Sequence, residues 1–351
     1  MPMKSKGKEV SSGAKPAVHR VTLKDIARET GYTVNTVSHA LNDKDDISDA
    51  AKDVIRRAAE RLGYIGDSMA GSLRTGVTKT VAVIIGDVSN PHFAILVREI
   101  DAAAAEQGYC TVILNTDENP EKEKSAIKTA VGRRVDGIII CPTQKDDENT
   151  RLLQRCGVPY CFVGRHDGGI SCSVVTDDRM GGKVAAENLL SHGKKRFLYI
   201  GGDERISSER ERREGFLSAL RGRGVADCDI FVRSAADMGG IGEVIDGVLP
   251  EIGCGRSVEE NLGVLAFSDI YAFEAKRCFS EHGMGDVEVM GFDNIGRTLP
   301  FLPRIESIEP IESLGRAAFL MFSSLVSGDL SPSRRCVVIP TAIGSYFLER
   351  K

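Results

Sequence analysis

Asn35, Thr36 and His39 are the first residues in the chain whose types and spacing suggest chemistry. They put an amide, a hydroxyl and an imidazole on the outer side of one short helix. Such a row of hydrogen-bonding groups suits a helix that enters the DNA major groove. The surrounding stretch, VTLKDIARETGYTVNTVSHAL over 21–41, predicts two short helices joined by a tight turn. Thr22 with Asp25 three residues on resembles a capping box, with Asp in place of the usual Glu or Gln. Leu23, Ile26 and Ala27 share one face at i, i+3, i+4 spacing. Gly31 stands where a helix ends in the left-handed region, open to glycine without strain. Thr33 is placed to cap the second helix, whose Val37, Ala40 and Leu41 turn inward. A helix, a glycine turn and a second helix with a polar outer face describe a helix-turn-helix. An ordinary helical hairpin at a domain edge is the other reading of the same spacing.

Other chemistries find less support. No G-x-S-x-G elbow, Walker loop or G-x-G-x-x-G at a strand end occurs, and no carboxylate pair is visibly placed for acid–base work. An enzyme is therefore not expected, nor a cofactor. The nine cysteines include no C-x-x-C pair and no His-rich partner set. They read as buried free thiols in a reducing cytoplasm, with neither a metal centre nor a disulfide framework. No apolar run approaches the ~20 residues of a membrane helix. Residues 1–19 lack the apolar stretch of a signal peptide and read as a disordered basic tail. The formal net charge of −4 divides unevenly, +4 over 1–79 and −8 over 80–351. A basic head on an acidic body fits one DNA-binding end, although Asp43, Asp45 and Asp46 place an acidic cluster inside that head.

The elements that must position these groups follow in order. Ser48 is placed to cap a third helix to about residue 62, with Val54, Ile55, Ala58, Ala59 and Leu62 as its apolar stripe. Residues 66–76, GDSMAGSLRTG, form a small-residue linker in which Met69 and Leu73 would share a face if it became helical. From Thr80 the pattern changes. VAVIIG, YCTVIL, GIIIC and YCFVG, then FLYIGG, DIFV, GVLAF and VEVMGF, are short continuous apolar runs separated by helical stretches such as 93–107, 180–192, 212–221 and 270–282. Such runs mark strands buried on both faces of a parallel sheet. The expected fold is α/β: an all-α head followed by two doubly wound parallel sheets, with ligands in the cleft between them.

From about Val21 to Ser345 the chain resembles the lactose repressor/galactose repressor (LacI/GalR) family of bacterial transcription regulators. The likeness rests on VTLKDIARETGYTVNTVSHALN, LGYI, AGSLRTG, DVSNPHFAILVREID, NTDENPEKE, RRVDGIII, RREGFLSAL, AFSDIYAFEA, VMGFDN and PRIESIEPIESLG, in that order. It implies a DNA-binding domain over 20–65, a hinge over 66–79 and a periplasmic-binding-protein-like core for effector binding and dimerisation over 80–345. The core's first subdomain would take 80–177 and 309–337, and its second 178–308 and 338–351. The chain would cross between them near Asp177, Ile308 and Val338. A cytoplasmic homodimer on a near-palindromic double-stranded operator is implied, switched by a small molecule, a sugar or sugar derivative.

The resemblance also assigns roles. Val34, Asn35 and His39 fall at base-reading positions, and Thr22, Thr33, Ser38 and Asn42 at phosphate-contact positions. Leu73 falls where a wedge enters the minor groove. Phe93 falls where a ring is stacked, and Asn115, Asp117, Arg165, Asp177, Arg212, Asp269 and Asp293 where hydroxyl or acidic groups are bonded. Plain roles compete: core packing for Phe93, helix caps for Asp177 and Asp269. Departures stand at His39, where Arg is usual, at Gly66, Asp67 and Gly71 in the hinge, and at Ser268 beside Asp269. Competing functions are a periplasmic sugar receptor, an enzyme, and a regulator controlled by a non-sugar metabolite or a partner protein.

Overall fold

Three helices form where the sequence places their caps. The computed structural model describes residues 20–66, 76–329 and 335–344. Contacts divide the chain into two units, Met1–Gly76 and Val77–Lys351. The first holds α1 (Leu23–Thr30), α2 (Val34–Leu41) and α3 (Asp49–Leu62). Thr22 donates its N–H and its hydroxyl to Asp25 Oδ2, at 2.9 and 2.8 Å. Gly31 ends α1 at φ 75°, and Thr33 Oγ1 accepts the Thr36 N–H at 3.1 Å. Ile26, Val37, Ala40, Ile55, Ala58 and Ala59 close a small core. Burying one large aliphatic side chain stabilises by ~1.5–3 kcal/mol. Val54, expected in the inner stripe of α3, is 47% exposed, and Ala51 is buried instead. Positions 51, 55, 58, 59 and 62 follow the helical repeat, and 54 falls beside it.

The second unit alternates strand and helix. β1 (Thr80–Ile85), α4 (Pro91–Glu106), β2 (Cys110–Asn115), α5 (Pro120–Gly132), β3 (Gly137–Ile140), α6 (Glu148–Cys156), β4 (Tyr160–Val163) and β5 (Ser173–Thr176) come first. Then follow α7 (Asp178–Ser191), β6 (Arg196–Gly201), α8 (Ser207–Gly222), β7 (Ile230–Ser234), α9 (Ile241–Ile252) and α10 (Arg256–Asn261). β8 (Leu262–Ala266), α11 (Asp269–Glu281), β9 (Glu288–Phe292) and β10 (Glu306–Pro310) complete that series. The chain returns through α12 (Leu314–Ser327), β11 (Cys336–Ile339) and β12 (Thr341–Ile343). Two six-stranded sheets result, ordered β11-β5-β4-β3-β1-β2 and β12-β10-β9-β8-β6-β7. Among the described pairings only β10 with β12 is antiparallel.

Both faces of each sheet are covered, which is why the strands read as unbroken apolar runs. Val81, Val83 and Ile85 of β1 face a core that contains Phe93, Leu96, Ile100, Phe319 and Phe322. Ala82 and Ile84 face the opposite core, with Ile127, Leu153 and Phe162. The chain passes between the sheets three times: between β5 and α7, between β10 and α12, and at Pro340, two residues beyond the expected Val338. These crossings are tied to one another. Asp177 N–H donates to Ile339 O at 2.8 Å and Ile311 N–H to Pro340 O at 3.0 Å, while the Thr341 hydroxyl donates to Asp177 O at 3.1 Å.

All nine thiols are free. Cys141, Cys161 and Cys278 are buried as expected, but Cys110, Cys228, Cys254 and Cys336 are exposed. Cys110 and Cys336 lie on edge strands, where one side of the strand reaches solvent.

Candidate DNA-reading face and ligand cleft

The outer face of α2 carries the groups expected to meet DNA. Val34 is 40% exposed; Asn35 and Asn42 are exposed, and Ser38 and His39 half-buried, on the side away from Val37 and Ala40. Thr22 and Thr33 stand at the N-caps of α1 and α2, so the cap and phosphate-contact readings fall on the same hydroxyls. Leu73, Asp67 and Gly71 lie outside the described residues. One member of the acidic cluster, Asp43, is neutralised from within. Asp43 pairs with Lys52 at 3.0 Å and Arg56 at 2.8 Å, and Lys52 holds its carboxyl below the usual carboxylate range. Asp46 Oδ2 lies 2.6 Å from His39 Nδ1.

In the second unit a cleft of about 1360 Å³ opens between the two sheets, at the carboxyl ends of their strands. Its walls show why these loops face each other. Helices α7 and α8 cross in backbone contact, because a β-carbon on Gly182 would lie 2.1 Å from Arg212 O, and one on Gly215 would lie 2.0 Å from Arg179 O. That crossing brings Arg212, five residues inside α8 and not at its start, against Asp178. Arg212 Nε donates to Asp178 Oδ1 at 2.7 Å and its Nη1 to Phe267 O at 2.7 Å. Its Nη2 lies 3.4 Å from Asp293 Oδ1, and its guanidinium stacks 4.2 Å from the centre of the Phe292 ring. Burial raises the Asp178 carboxyl above its usual range, opposed by Arg212. Asp293 follows β9 at φ 94°, a strained conformation for a residue other than glycine.

Across the cleft Arg165 makes a two-pronged ion pair with Glu118, at 2.9 and 2.8 Å, and donates to Pro142 O at 2.7 Å. Two histidines of the first subdomain reach carboxylates of the second. His92 Nδ1 lies 3.5 Å from Asp293 Oδ1, and His166 Nε2 lies 3.1 Å from Glu211 Oε1. Glu211 raises the His166 ring above its usual value and is itself held low by that contact.

Of the expected ligand residues, the structure brings Phe93, Asp117, Arg165, Arg212 and Asp293 to the cleft. Phe93 is 5% exposed and belongs also to the first subdomain's core. Asp117 pairs with Lys122 and Asn115, which lower its carboxyl. Three others serve the walls. Asn115 Oδ1 accepts the Val88 N–H at 2.8 Å, and Asp177 caps α7 by accepting from Met180 N at 2.9 Å. Asp269, 1% exposed, accepts from Ile295 N–H at 2.7 Å and the Ser307 hydroxyl at 2.6 Å, so it holds the loop after Asp293 in place. Ser268, the N-cap of α11, lines the cleft.

His92, Glu118 and Asp178 are cleft or wall residues that sequence reasoning missed. Asp178 carried a signal: it heads the buried stripe Asp178, Gly181, Gly182, Ala185, Ala186, Leu189 at helical spacing. His92 and Glu118 carried none. The described lining holds five arginines and lysines against nine carboxylates, so the cleft is acidic.

A helix-turn-helix followed by two doubly wound sheets around a polar cleft defines a ligand-responsive transcription regulator. Residues 22–67 match the family of bacterial regulatory proteins, lacI family, and residues 78–350 the periplasmic binding proteins and sugar binding domain of LacI family. The chain belongs to the LacI family. It is a DNA-binding transcriptional regulator with an effector-binding core, not an enzyme. It is 26% identical over 315 residues to the transcriptional repressor PurR of Mannheimia succiniciproducens, covering 88% of this chain and 93% of that one. It is 28% identical over 303 residues to the ribose operon repressor of Halalkalibacterium halodurans, covering 84% and 87%. The lac repressor dimer solved with operator and the anti-inducer ONPF shares the fold, with a TM-score of 0.79 at 20% identity over 93% of this chain and 98% of that one. Regulators of this family bind operator DNA and small-molecule effectors such as sugars. No described helix is long and apolar enough to cross a membrane.

Proposed function

We infer that this chain is a cytoplasmic repressor that binds a near-palindromic operator as a homodimer and is switched by an uncharged carbohydrate in its cleft. The charge state of that cleft carries the reading. Arg165 and Arg212 are already paired with Glu118, Asp178 and Asp293, and carboxylates outnumber cations around them. A phosphate or carboxylate ligand would meet net repulsion there, whereas sugar hydroxyls both donate and accept. Phe93 supplies an aromatic edge, and Asp117, Arg165, Arg212 and Asp293 supply the polar contacts; His92 joins them as a bridge to Asp293. The family's description as a sugar-binding domain and the ribose operon repressor's name support the same class. Thr22, Thr33, Val34, Asn35, Ser38, His39 and Asn42, with Leu73, contact the operator.

Two measurements test this. Thermal melting against neutral mono- and disaccharides should show a raised midpoint with at least one of them, since a ligand specific to the folded state stabilises it. A rise with sugar phosphates and none with neutral sugars refutes the ligand class. Sedimentation and gel shift should show two subunits per operator, with affinity falling steeply as salt rises because phosphate contacts release counterions. Deleting residues 1–65 should abolish operator binding while the core remains dimeric.

A further inference from the structure

His39 and Asp46 form a contact whose chemistry bears on how the operator is read. The inference rests on α2 being the recognition helix. His39 Nδ1 and Asp46 Oδ2 are 2.6 Å apart. An ionised carboxylate only accepts, so Nδ1 must carry the hydrogen. The loop that brings Asp46 there is pinned on both sides. Asp43 is held to α3 by Lys52 and Arg56, Ile47 packs against the head's core, and Lys44 N–H donates to His39 O at 3.0 Å. Several neighbouring charged groups of the head make ion pairs of their own. On α1, Asp25 pairs with Arg28, and Glu29 reaches Arg61 of α3; on the loop, Lys44 and Asp45 directly precede Asp46.

With Nδ1 committed, Nε2 on the far side of the ring is the nitrogen left to meet a base. In the neutral ring it is a lone-pair acceptor, and it matches the exocyclic amines of adenine (N6) and cytosine (N4) in the major groove. We propose that Asp46 and His39 act as a specificity-determining couple, in which Asp46 fixes the ring so that Nε2 reads an adenine or cytosine amine. Asp46 is a positioning residue that acts through His39. An arginine at the same place could only donate and would match guanine O6 and N7 instead.

The test is operator selection by the full-length chain from a randomised duplex library, followed by anisotropy titration of base-substituted half-sites. The wild type should prefer adenine or cytosine over guanine at one half-site position by ~3–10-fold. Asp46→Ala should lose that selectivity to below ~2-fold, while its affinity for non-specific DNA holds or rises because a negative charge has left the DNA-facing side. Asp46→Asn, whose amide oxygen still accepts from Nδ1, should keep the preference. His39→Ala should abolish it. A guanine preference at that position in the wild type, or undiminished selectivity in Asp46→Ala, overturns the couple but leaves the repressor reading intact. Failure to enrich any sequence overturns both.

Discussion

Arg212 and Asp178 form a 2.7 Å ion pair inside the cleft wall, with side chains only 9% and 2% exposed. Removing one partner of a buried pair leaves an uncompensated charge, at a cost of ~3–5 kcal/mol. Arg212→Ala should therefore destabilise the core as well as blunt the effector response. The loss has a pH signature. Burial holds the native Asp178 carboxyl above its usual value, and Arg212 opposes this, so the variant's carboxyl rises further. A raised carboxyl contributes stability that is present below its unfolded value and lost as pH climbs through the native one. The variant's melting deficit should thus be larger near pH 7.5 than at about pH 5. An equal deficit at both values would show that Asp178 stays charged without its partner.

Asp293 separates ligand binding from folding. Its φ of 94° favours glycine, so Asp293→Gly relieves strain while it removes the contacts to Arg212 and His92. Stability should hold to within ~1 kcal/mol. Affinity for the sugar that raises the wild-type melting point should fall about tenfold to a hundredfold, as the loss of a charge-assisted contact predicts. Calorimetric titration reads both arms, and unchanged affinity would remove Asp293 from the site.

The glycines at the crossing of α7 and α8 should be intolerant. An alanine at 182 would put a methyl group 2.1 Å from a backbone carbonyl. Overpacking of this kind costs ~1–3 kcal/mol. Because the shift would separate Asp178 from Arg212, Gly182→Ala should lose effector response out of proportion to its loss of stability. Alanine at exposed Gly222, with open space around its β-position, is the control.

Glu118→Gln tests the charge argument directly. It removes the carboxylate that pairs with Arg165 at 2.8 Å. The variant's midpoint should rise in about 10 mM inorganic phosphate, where the wild type shows no rise. A phosphate response in the wild type would mean that the acidic lining does not exclude anions.

Much of this architecture was legible because each signal was local. The head's caps, glycine turn and inner stripe lie within a few residues of one another, and the continuous apolar runs follow from burial on both faces of a sheet. That ligand groups lie after β9 and near α8 was legible from strand order. Which of two adjacent carboxylates turns inward was less so: Asp177 and Asp178 differ by 100° of helix rotation, and only the stripe behind Asp178 separates them. Asp269 reads like a cleft residue because it adjoins one, Ser268, yet its oxygens turn to Ile295 and Ser307. His92 and Glu118 owe their roles to partners 201 and 47 residues away along the chain, a distance that no spacing rule spans. The charges of Asp43 and Asp46 looked adverse to DNA binding for the same reason, since the groups that neutralise or use them come from other helices.

The order in which the sheets are completed has a consequence for synthesis. One face of the first sheet is covered by Leu314, Ala318, Phe319 and Phe322 of α12, and its outer edge by β11. Both are translated only after the whole second subdomain. While the ribosome makes residues 178–310, Val81, Val83, Ile85, Ile139 and Val163 share a face covered by α4 without α12, and β5 is an open edge. Nascent chains carry a sticky, half-roofed sheet through more than a hundred residues of elongation, at ~5–20 residues per second. Holdase chaperones should therefore engage this protein late in translation and release it only as the final strands emerge.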